Sequence, residues 1–265
     1  MLRFNRATIY YRPKLAAKNA VLTAQITAIA ETRVHYGYRR ITDRLRMQGV
    51  QVNYKHVYRL YRLLQLGLRR LRPRRRKAAV VRGPRIAATR PNQVWSMDFV
   101  HDRLSDGRSI RLLTLIDVYT RECLALEARR SWKSADVVDV LCSRVAERGK
   151  PSCITCDNGS EFCALPMDQW AYWSDVKLDY SRPGKPVDNC YIESFNALVR
   201  RELLNASYFA SVDDTQRTAT KWREDYNHEH PHSSLGHRSP RSFAQAWIAQ
   251  FESQLSTRPV CPTSG

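Results

Sequence analysis

No uninterrupted apolar run in this 265-residue chain approaches the roughly 20 residues that a membrane-spanning helix needs. The first residues also lack the apolar centre of a signal peptide, because Arg3, Arg6, Arg12 and Lys14 are scattered among polar neighbours. These absences point to a cytoplasmic protein. Seven cysteines, an odd number without regular spacing, offer no disulfide framework and fit reduced thiols. Cys153-x-x-Cys156 invites a zinc reading, but no second pair stands at matching spacing and no Cys precedes Cys123. Near the N-terminus only His35 and His56 remain, short of the four ligands that a structural zinc site requires. No heptad seam specifies a coiled coil.

Acids are almost missing from the first third. Residues 1–90 hold 23 Lys and Arg against two acids, Glu31 and Asp43, whereas residues 91–265 hold 21 against 23. The net charge of +19 therefore comes from one end of the chain. That asymmetry is expected of a part that meets a polyanion joined to a part with another task. A hydrophobic content of 43% and six Trp indicate a folded protein with a substantial core.

Residues 1–17 read as a basic arm. Leu22, Ile26 and Ile29 fit a helix over 18–32, and Tyr38, Ile41 and Leu45 fit a second one stopped by Gly49. Asn53 is suited to cap a third, with Val57, Leu60, Tyr61 and Leu64 on one face and Gly67 as its stop. Lys55, Arg59 and Arg62 fall on the opposite face. A short helix, a Gly-containing turn and a basic-faced helix predict a helix-turn-helix unit on double-stranded DNA. The competing reading is a small helical bundle kept soluble by its arginines, and the concentrated charge favours DNA. Residues 69–90 carry a run of arginines without apolar period and read as a linker along a nucleic-acid backbone.

A second domain is expected over 91–250, followed by a tail at 251–265. Strands are predicted at 94–100, 110–116 and 122–127, a helix at 134–148, a strand at 152–155, a helix near 165–173 and a strand at 176–180. The loop from Ser181 then delivers a helix capped by Asp188 or Asn189, burying Ile192, Phe195, Val199 and Leu203. On its other face stand Glu193, Asn196 and Arg200. This order describes an α/β fold, a mixed sheet flanked by helices. Trp170, Tyr172 and Trp173 read as a core stripe, and Trp222 with Tyr226 as a helical face packed on the sheet. His228, His230 and His232 alternate around Pro231 and read as loop residues, one of them in contact with DNA, rather than as a metal site.

Asp98 and Asp157 sit on two separate strands, in a sheet type that presents functional side chains at strand ends, and Glu193 can reach them from its helix. Any one of these acids could serve only a turn or a solvated face. Brought together, three carboxylates repel unless cations lie between them, and hard oxygen ligands select Mg²⁺ or Mn²⁺. Two such ions can promote phosphodiester chemistry.

The surrounding residues narrow the choice. Trp95-Ser-Met-Asp98-Phe, Cys156-Asp157-Asn-Gly-Ser-Glu-Phe and Asp188-Asn-Cys-Tyr-Ile-Glu193-Ser-Phe-Asn resemble the integrase core of bacterial insertion-sequence transposases. So does the gap of 35 residues between Asp157 and Glu193. The resemblance is to the DDE group whose catalytic product comes from a second reading frame (OrfB), and it spans roughly residues 8–250. His35-Tyr-Gly-Tyr-Arg-Arg-Ile41 and Val57-Tyr-Arg-Leu60 look like the helix-turn-helix before that core. Tyr226-Asn227, Pro231-His-Ser-Ser-Leu-Gly236 and Ser239-Pro240 look like its closing signature.

The resemblance implies a ribonuclease H-like fold and metal-dependent cutting and joining of transposon DNA ends, with Asp98, Asp157 and Glu193 as catalytic and metal-holding triad. It implies a DNA contact from Arg200; Asn196, Lys185, Arg39 and Arg40 join Lys55, Arg59 and Arg62 of the basic helix face as candidate DNA contacts. A homo-oligomer on DNA, nucleoid association and fusion or association with a first-frame product are further expectations. The alternative is a DNA-binding regulator on a decayed catalytic fold, and the filled triad argues against it. His230 departs from the group's usual Arg, which predicts a weakened phosphate contact.

Overall fold

The computed structural model describes residues 16–68, 88–181 and 189–256. The basic arm, most of the linker with its arginine run, and the 182–188 loop with Lys185 and Asp188 lie outside the described residues. The chain divides into two compact units, Met1–Arg74 and Arg75–Gly265.

The first unit contains α1 (Ala16–Thr32), α2 (Tyr38–Met47) and α3 (Tyr54–Leu63). Leu22, Ile26, Tyr36, Ile41, Leu45, Val57, Leu60 and Tyr61 form its core, so the apolar stripes meet as their spacing predicts. The turn between α2 and α3 is pinned by Arg46, whose Nη2 donates to the Val52 carbonyl at 3.0 Å. Asn53 caps α3 by accepting from the Lys55 amide at 2.9 Å. Gly49 ends α2 with φ at 82°, as expected. Gly67 does not end α3. Gln65 does so with φ at 54°, and the Leu66 amide reaches back to the Tyr61 carbonyl at 3.2 Å. This closing geometry is ordinarily made with Gly, and here a polar residue adopts it two positions early.

The second unit is a five-stranded sheet in the order β3-β2-β1-β4-β5. Its strands are β1 (Val94–Arg103), β2 (Ser109–Asp117), β3 (Cys123–Arg129), β4 (Cys153–Cys156) and β5 (Lys177–Tyr180). The first three pair antiparallel, while β4 pairs parallel to β1 and β5 parallel to β4. Helices α4 (Ser134–Arg148) and α5 (Leu165–Ser174) make the crossovers that parallel pairing requires. They are followed by α6 (Cys190–Glu202), α7 (Val212–Glu229) and α8 (Pro240–Ser256), which continues past residue 250. None of the helices among the described residues is long and apolar enough to cross a membrane.

Alternation along the strands sorts the core into two layers. Trp95, Met97, Leu113, Leu115, Ile154 and Cys156 pack with α4 and α5 on one face. Val100, Leu112, Ile116, Leu126 and Ala128 pack on the other with Ile192, Phe195, Val199 and Leu203 of α6 and its flank. Trp222 and Tyr226 of α7 stack there at 5.2 Å, as expected of a packed face.

β3 is an edge strand, and α7 covers it with amide side chains. Asn227 exchanges two bonds with the Cys123 backbone, at 2.8 and 3.0 Å. Gln216 accepts from the Ala128 amide at 2.7 Å and donates to the Leu126 carbonyl at 3.2 Å. Backbone groups that would template another strand are thereby satisfied.

One expected core stripe is absent. Trp170 is buried, but Tyr172 is 78% and Trp173 81% exposed, set edge to face at 5.4 Å. Met167, Trp170 and Ala171 define the inner face of α5. At about 100° per residue, positions 172 and 173 fall more than a quarter-turn away from it.

Candidate active site

Asp98 and Asp157 are brought together by strand register. Ser96 of β1 is paired with Thr155 of β4 in a parallel ladder. Each acid lies two residues further on, and two residues is the period that returns a side chain to the same face. That face is the one covered by α6, whose apolar positions seat it on the sheet and leave Glu193 exposed. Asp98 feels both of the other acids. Burial, opposed by the hydrogen bond from the Phe99 amide, and then the charges of Asp157 and Glu193 push the Asp98 carboxyl up to about 6.

The sequence placed Asn196 with the DNA contacts. In the structure it holds an acid, its Nδ2 donating to Asp98 Oδ2 at 2.8 Å. Its own oxygen accepts from Thr114 Oγ1 at 2.9 Å, and that hydroxyl also meets the Asp98 carbonyl at 2.9 Å. The other Asp98 oxygen accepts from the Phe99 amide at 2.7 Å. Each carboxylate oxygen thus has one protein donor and retains acceptor capacity.

Asp157 is exposed, and its Oδ1 accepts from the Gly159 amide at 3.1 Å. A Cβ at Gly159 would stand 3.0 Å from that same oxygen, so this position keeps room beside the acid. Asn158 donates to the Ser181 carbonyl at 2.8 Å. Glu161 pairs with Arg111 of β2, whose guanidinium lies 4.2 Å from the Phe99 ring centroid. Phe99 in turn stacks on Phe162 at 4.9 Å. The turn after Asp157 is therefore fastened to β1 and β2 by charge and by aromatic contact.

Two expectations about α6 and its surroundings are corrected. Asn189 occupies the N-cap position but makes no capping bond. Its Oδ1 instead accepts from Ser96 Oγ at 2.6 Å, because the helix start is pressed against β1. His230 is 3% exposed, with Nε2 3.7 Å from Glu202 and its ring 5.3 Å from Tyr226. That interior position does not present it to a phosphate. His232 meets the Tyr226 hydroxyl at 2.9 Å, while His228 is exposed near Glu224.

Arg200 is exposed and donates to the His101 carbonyl at 2.7 Å, which leaves other guanidinium donors. In the first unit, Lys55, Arg59 and Arg62 line the exposed face of α3. Arg39 is exposed beside the Tyr38 hydroxyl at 3.2 Å, and Arg40 is half-buried over the Tyr36 ring at 5.5 Å. Cys153 and Cys156 are buried thiols, with burial raising both. Among the described residues no group of three or more His, Cys, Asp or Glu is gathered closely enough to hold an ion as it stands.

The sequence reading missed Ser96, Thr155, Asn189, Thr114 and Gly159. Its available signal was the repeated polar-x-Asp pattern of Ser96-Met-Asp98 and Thr155-Cys-Asp157.

Residues 88–186 match an Integrase core domain, residues 174–240 a second Integrase core domain pattern, and residues 16–77 an HTH-like domain. A 31.7 kDa protein of insertion element IS407 from Burkholderia multivorans is 36% identical over 245 residues, covering 92% of this chain and 88% of that one. The chain belongs to the insertion-sequence transposases with an integrase core. It is a DDE-type DNA transposase, a polynucleotidyl transferase. The putative transposase InsK of IS150 from Escherichia coli is 29% identical to it over 245 residues, covering 84% of the transposase and 83% of InsK. Among solved structures, a simian T-cell lymphotropic virus intasome in complex with the PP2A regulatory subunit B56 gamma aligns with a TM-score of 0.53 and 15% identity. The alignment covers 91% of the transposase and 77% of the viral chain, and it establishes the shared ribonuclease H-like fold.

Proposed function

We propose that Asp98, Asp157 and Glu193 are the acids at which the transposase cuts and joins DNA, and that they hold Mg²⁺ or Mn²⁺, with two ions per site. The observation that carries this reading is the common face. Asp98 on β1 and Asp157 just past β4 each follow the Ser96–Thr155 register pair by two residues, and Glu193 stands on the helix packed over that face. Burial, then the charges of Asp157 and Glu193, disfavour charge on Asp98. Divalent cations relieve that repulsion, and the donor set is entirely hard oxygen. Asp157 and Glu193 are exposed, so both carboxylates are open to an ion from solvent.

Bound there, the ions supply charge that stabilises the attacking and leaving oxygens of an in-line displacement. The residues of the chain do the positioning. Asn196 and the Phe99 amide hold the Asp98 carboxylate, and the Gly159 amide orients Asp157. In the first step water attacks phosphorus at an element end, and the P–O bond to the departing 3′-oxygen breaks. In the second step that 3′-hydroxyl attacks a target phosphodiester, forming one P–O bond as another breaks. The number of phosphodiester bonds is conserved in joining, so no energy-rich co-reactant is needed.

The partner is double-stranded DNA, both element ends and target. Lys55, Arg59 and Arg62 contact phosphate from α3, with Arg39 and Arg40 in the same unit; Arg200, on the helix that carries Glu193, and Lys185, outside the described residues, complete the proposed contacts. The organisation that fits is a DNA-binding unit over 1–68, a basic linker over 69–90 and a catalytic core from 91. The viral neighbour belongs to an intasome, and this supports a homo-oligomer of the transposase assembled on DNA in the bacterial nucleoid. A first-frame product, fused or associated, completes the proposed assembly.

The test is a joining assay on labelled DNA carrying the element's ends, with Mg²⁺ or EDTA, comparing wild type and Glu193→Gln. Metal-dependent joined products that vanish in the variant are expected. Binding without cutting or joining, even with the first-frame product added, would leave a DNA-binding regulator instead.

A further inference from the structure

A second set of three residues lies one step behind the acids. Thr155 Oγ1 donates to Ser96 Oγ at 2.8 Å, and Ser96 Oγ donates to Asn189 Oδ1 at 2.6 Å. Ser96 precedes Asp98 by two residues and Thr155 precedes Asp157 by two, the strand period that keeps side chains on one face. Asn189 precedes Glu193 by four, the helical interval that does the same. Ser96 thus shares β1 and its face with Asp98, Thr155 stands on β4 just before the turn that carries Asp157, and Asn189 stands at the N-cap of the helix that carries Glu193.

The chemistry of the three residues is unusual for their location. Ser96 is 1% and Asn189 8% exposed, and apolar side chains would fill such positions without a desolvation cost. Nearby, Val94, Val118 and Cys153 form an apolar cluster. Asn189 also gives up the capping bond that its position at the start of α6 offers. The polar link instead runs from α6 to the two central strands, a distance of 93 residues in sequence. Hydrogen bonds have narrow distance and angle preferences, whereas apolar contact is non-directional. A directional link is what fixing a helix at one height and rotation over a sheet demands.

We propose that Ser96, Thr155 and Asn189 act as a positioning clamp that sets where the Glu193 helix stands relative to Asp98 and Asp157, and so sets the spacing of the acids for metal binding and joining. The inference rests on the triad reading above. The three residues touch neither DNA nor ion, and they act through the acids one step ahead. Because Ser96 and Thr155 are a register pair, the strand–strand and helix–strand distances are coupled through a single hydroxyl.

The experiment uses the full transposase with element-end DNA. Ser96→Ala, Thr155→Val and the double variant are compared with Thr155→Ser and Glu193→Gln for kcat and KM of joining, thermal unfolding, and Mn²⁺ binding by paramagnetic resonance. Thr155→Val keeps the side-chain shape and removes the hydroxyl, whereas Thr155→Ser keeps the hydroxyl. The expected result is a kcat lowered about 10- to 100-fold in Ser96→Ala and Thr155→Val, the range seen when residues behind metal ligands are removed. KM for DNA stays within about twofold and Mn²⁺ binding weakens about tenfold. The double variant is no worse than the single ones, as expected for residues acting as one unit. Thr155→Ser recovers to within about threefold of wild type, the loss of a methyl being a minor packing change.

Wild-type kcat and Mn²⁺ affinity in folded Ser96→Ala and Thr155→Val, with Glu193→Gln inactive, overturns the clamp and leaves the triad standing. Additive losses that follow the melting temperature, or a Thr155→Ser as poor as Thr155→Val, also overturn it, by showing a packing role. An active Glu193→Gln overturns the triad reading and the clamp with it.

Discussion

Asn196 Nδ2 donates to Asp98 Oδ2 at 2.8 Å, so the helix that carries Glu193 also grips the carboxylate of the central strand. The bond spans 98 residues and orients one acid from the element that supplies another. Asn196 is itself held by Thr114 on the neighbouring strand, so its amide has a fixed orientation.

Asn196→Ala is expected to lower kcat for joining roughly 10- to 100-fold while leaving DNA affinity within about twofold, as for residues that orient metal ligands. Steady-state kinetics beside an equilibrium binding titration checks this. A loss confined to binding would return Asn196 to the DNA contacts.

Gly159→Ala introduces a Cβ 3.0 Å from Asp157 Oδ1 and 3.4 Å from the Phe162 ring. Phe162 is fully buried and stacked on Phe99, so it has little room to yield, and the Asp157 carboxylate is displaced. The shift asked of it is a few tenths of an ångström, and since about an ångström of misplacement costs up to roughly 100-fold in rate, a loss on the order of several-fold is expected. The variant should therefore lose joining activity with an unchanged circular-dichroism melt. Full activity would show that the carboxylate rotates without penalty.

Glu122 is almost fully buried and binds Arg148 through two bonds of 2.8 Å and Arg241 through one of 3.2 Å, joining the start of β3 to α4 and α8. Arg148→Ala should cost less than the roughly 3–5 kcal/mol of a fully stranded buried charge, since Arg241 still pairs with Glu122, and Arg148→Ala with Arg241→Ala should approach that figure. Chemical denaturation of the full chain measures it.

The same ring predicts a pH effect. Burial pushes the Glu122 carboxyl up, but the bonds and charges of Arg148, then Arg241, more than reverse this and leave it below the usual carboxylate range. A depressed carboxyl stabilises the fold above its unfolded pKa, about 4.3, and that contribution disappears as pH falls through the folded value. Asp117, which faces Glu122, is raised chiefly by burial and has the opposite sign, its contribution being lost as pH rises through its folded value. Glu122→Gln should therefore flatten the fall of the melting temperature between about pH 5 and 3. An equally steep fall would place the acid-labile group elsewhere.

Lys55, Arg59 and Arg62 changed together to Ala should weaken DNA binding and reduce the slope of log K against log salt by about 3, near 0.9 for each phosphate no longer neutralised. Binding isotherms at several salt concentrations read the slope directly. An unchanged slope would remove the exposed face of α3 from the interface.

Much of the architecture was legible because local periods carry it. Ile192, Phe195, Val199 and Leu203 repeat at the helical interval, and all are buried. Asn53 caps α3 through a bond only two residues long. The succession of strands and the turn at Asp157 follow from alternation and turn residues, which act within a few positions, whereas β1 runs on past Asp98 to Arg103. The family resemblance was readable in the same way, because the residues flanking Asp98, Asp157 and Glu193 form short contiguous motifs.

What the tertiary structure alone decided is the choice of distant partners. Asn189 looks like a cap in sequence and becomes a link to Ser96, because docking α6 on β1 puts a buried hydroxyl within reach. Asn196 looks like a DNA contact and becomes the support of Asp98. His230 looks like a loop residue and is enclosed beside Glu202, while Tyr172 and Trp173 look like core and face water. A side chain's chemical type is a property of the sequence. Which donor, acceptor or solvent it meets depends on where packing places elements that lie many tens of residues apart.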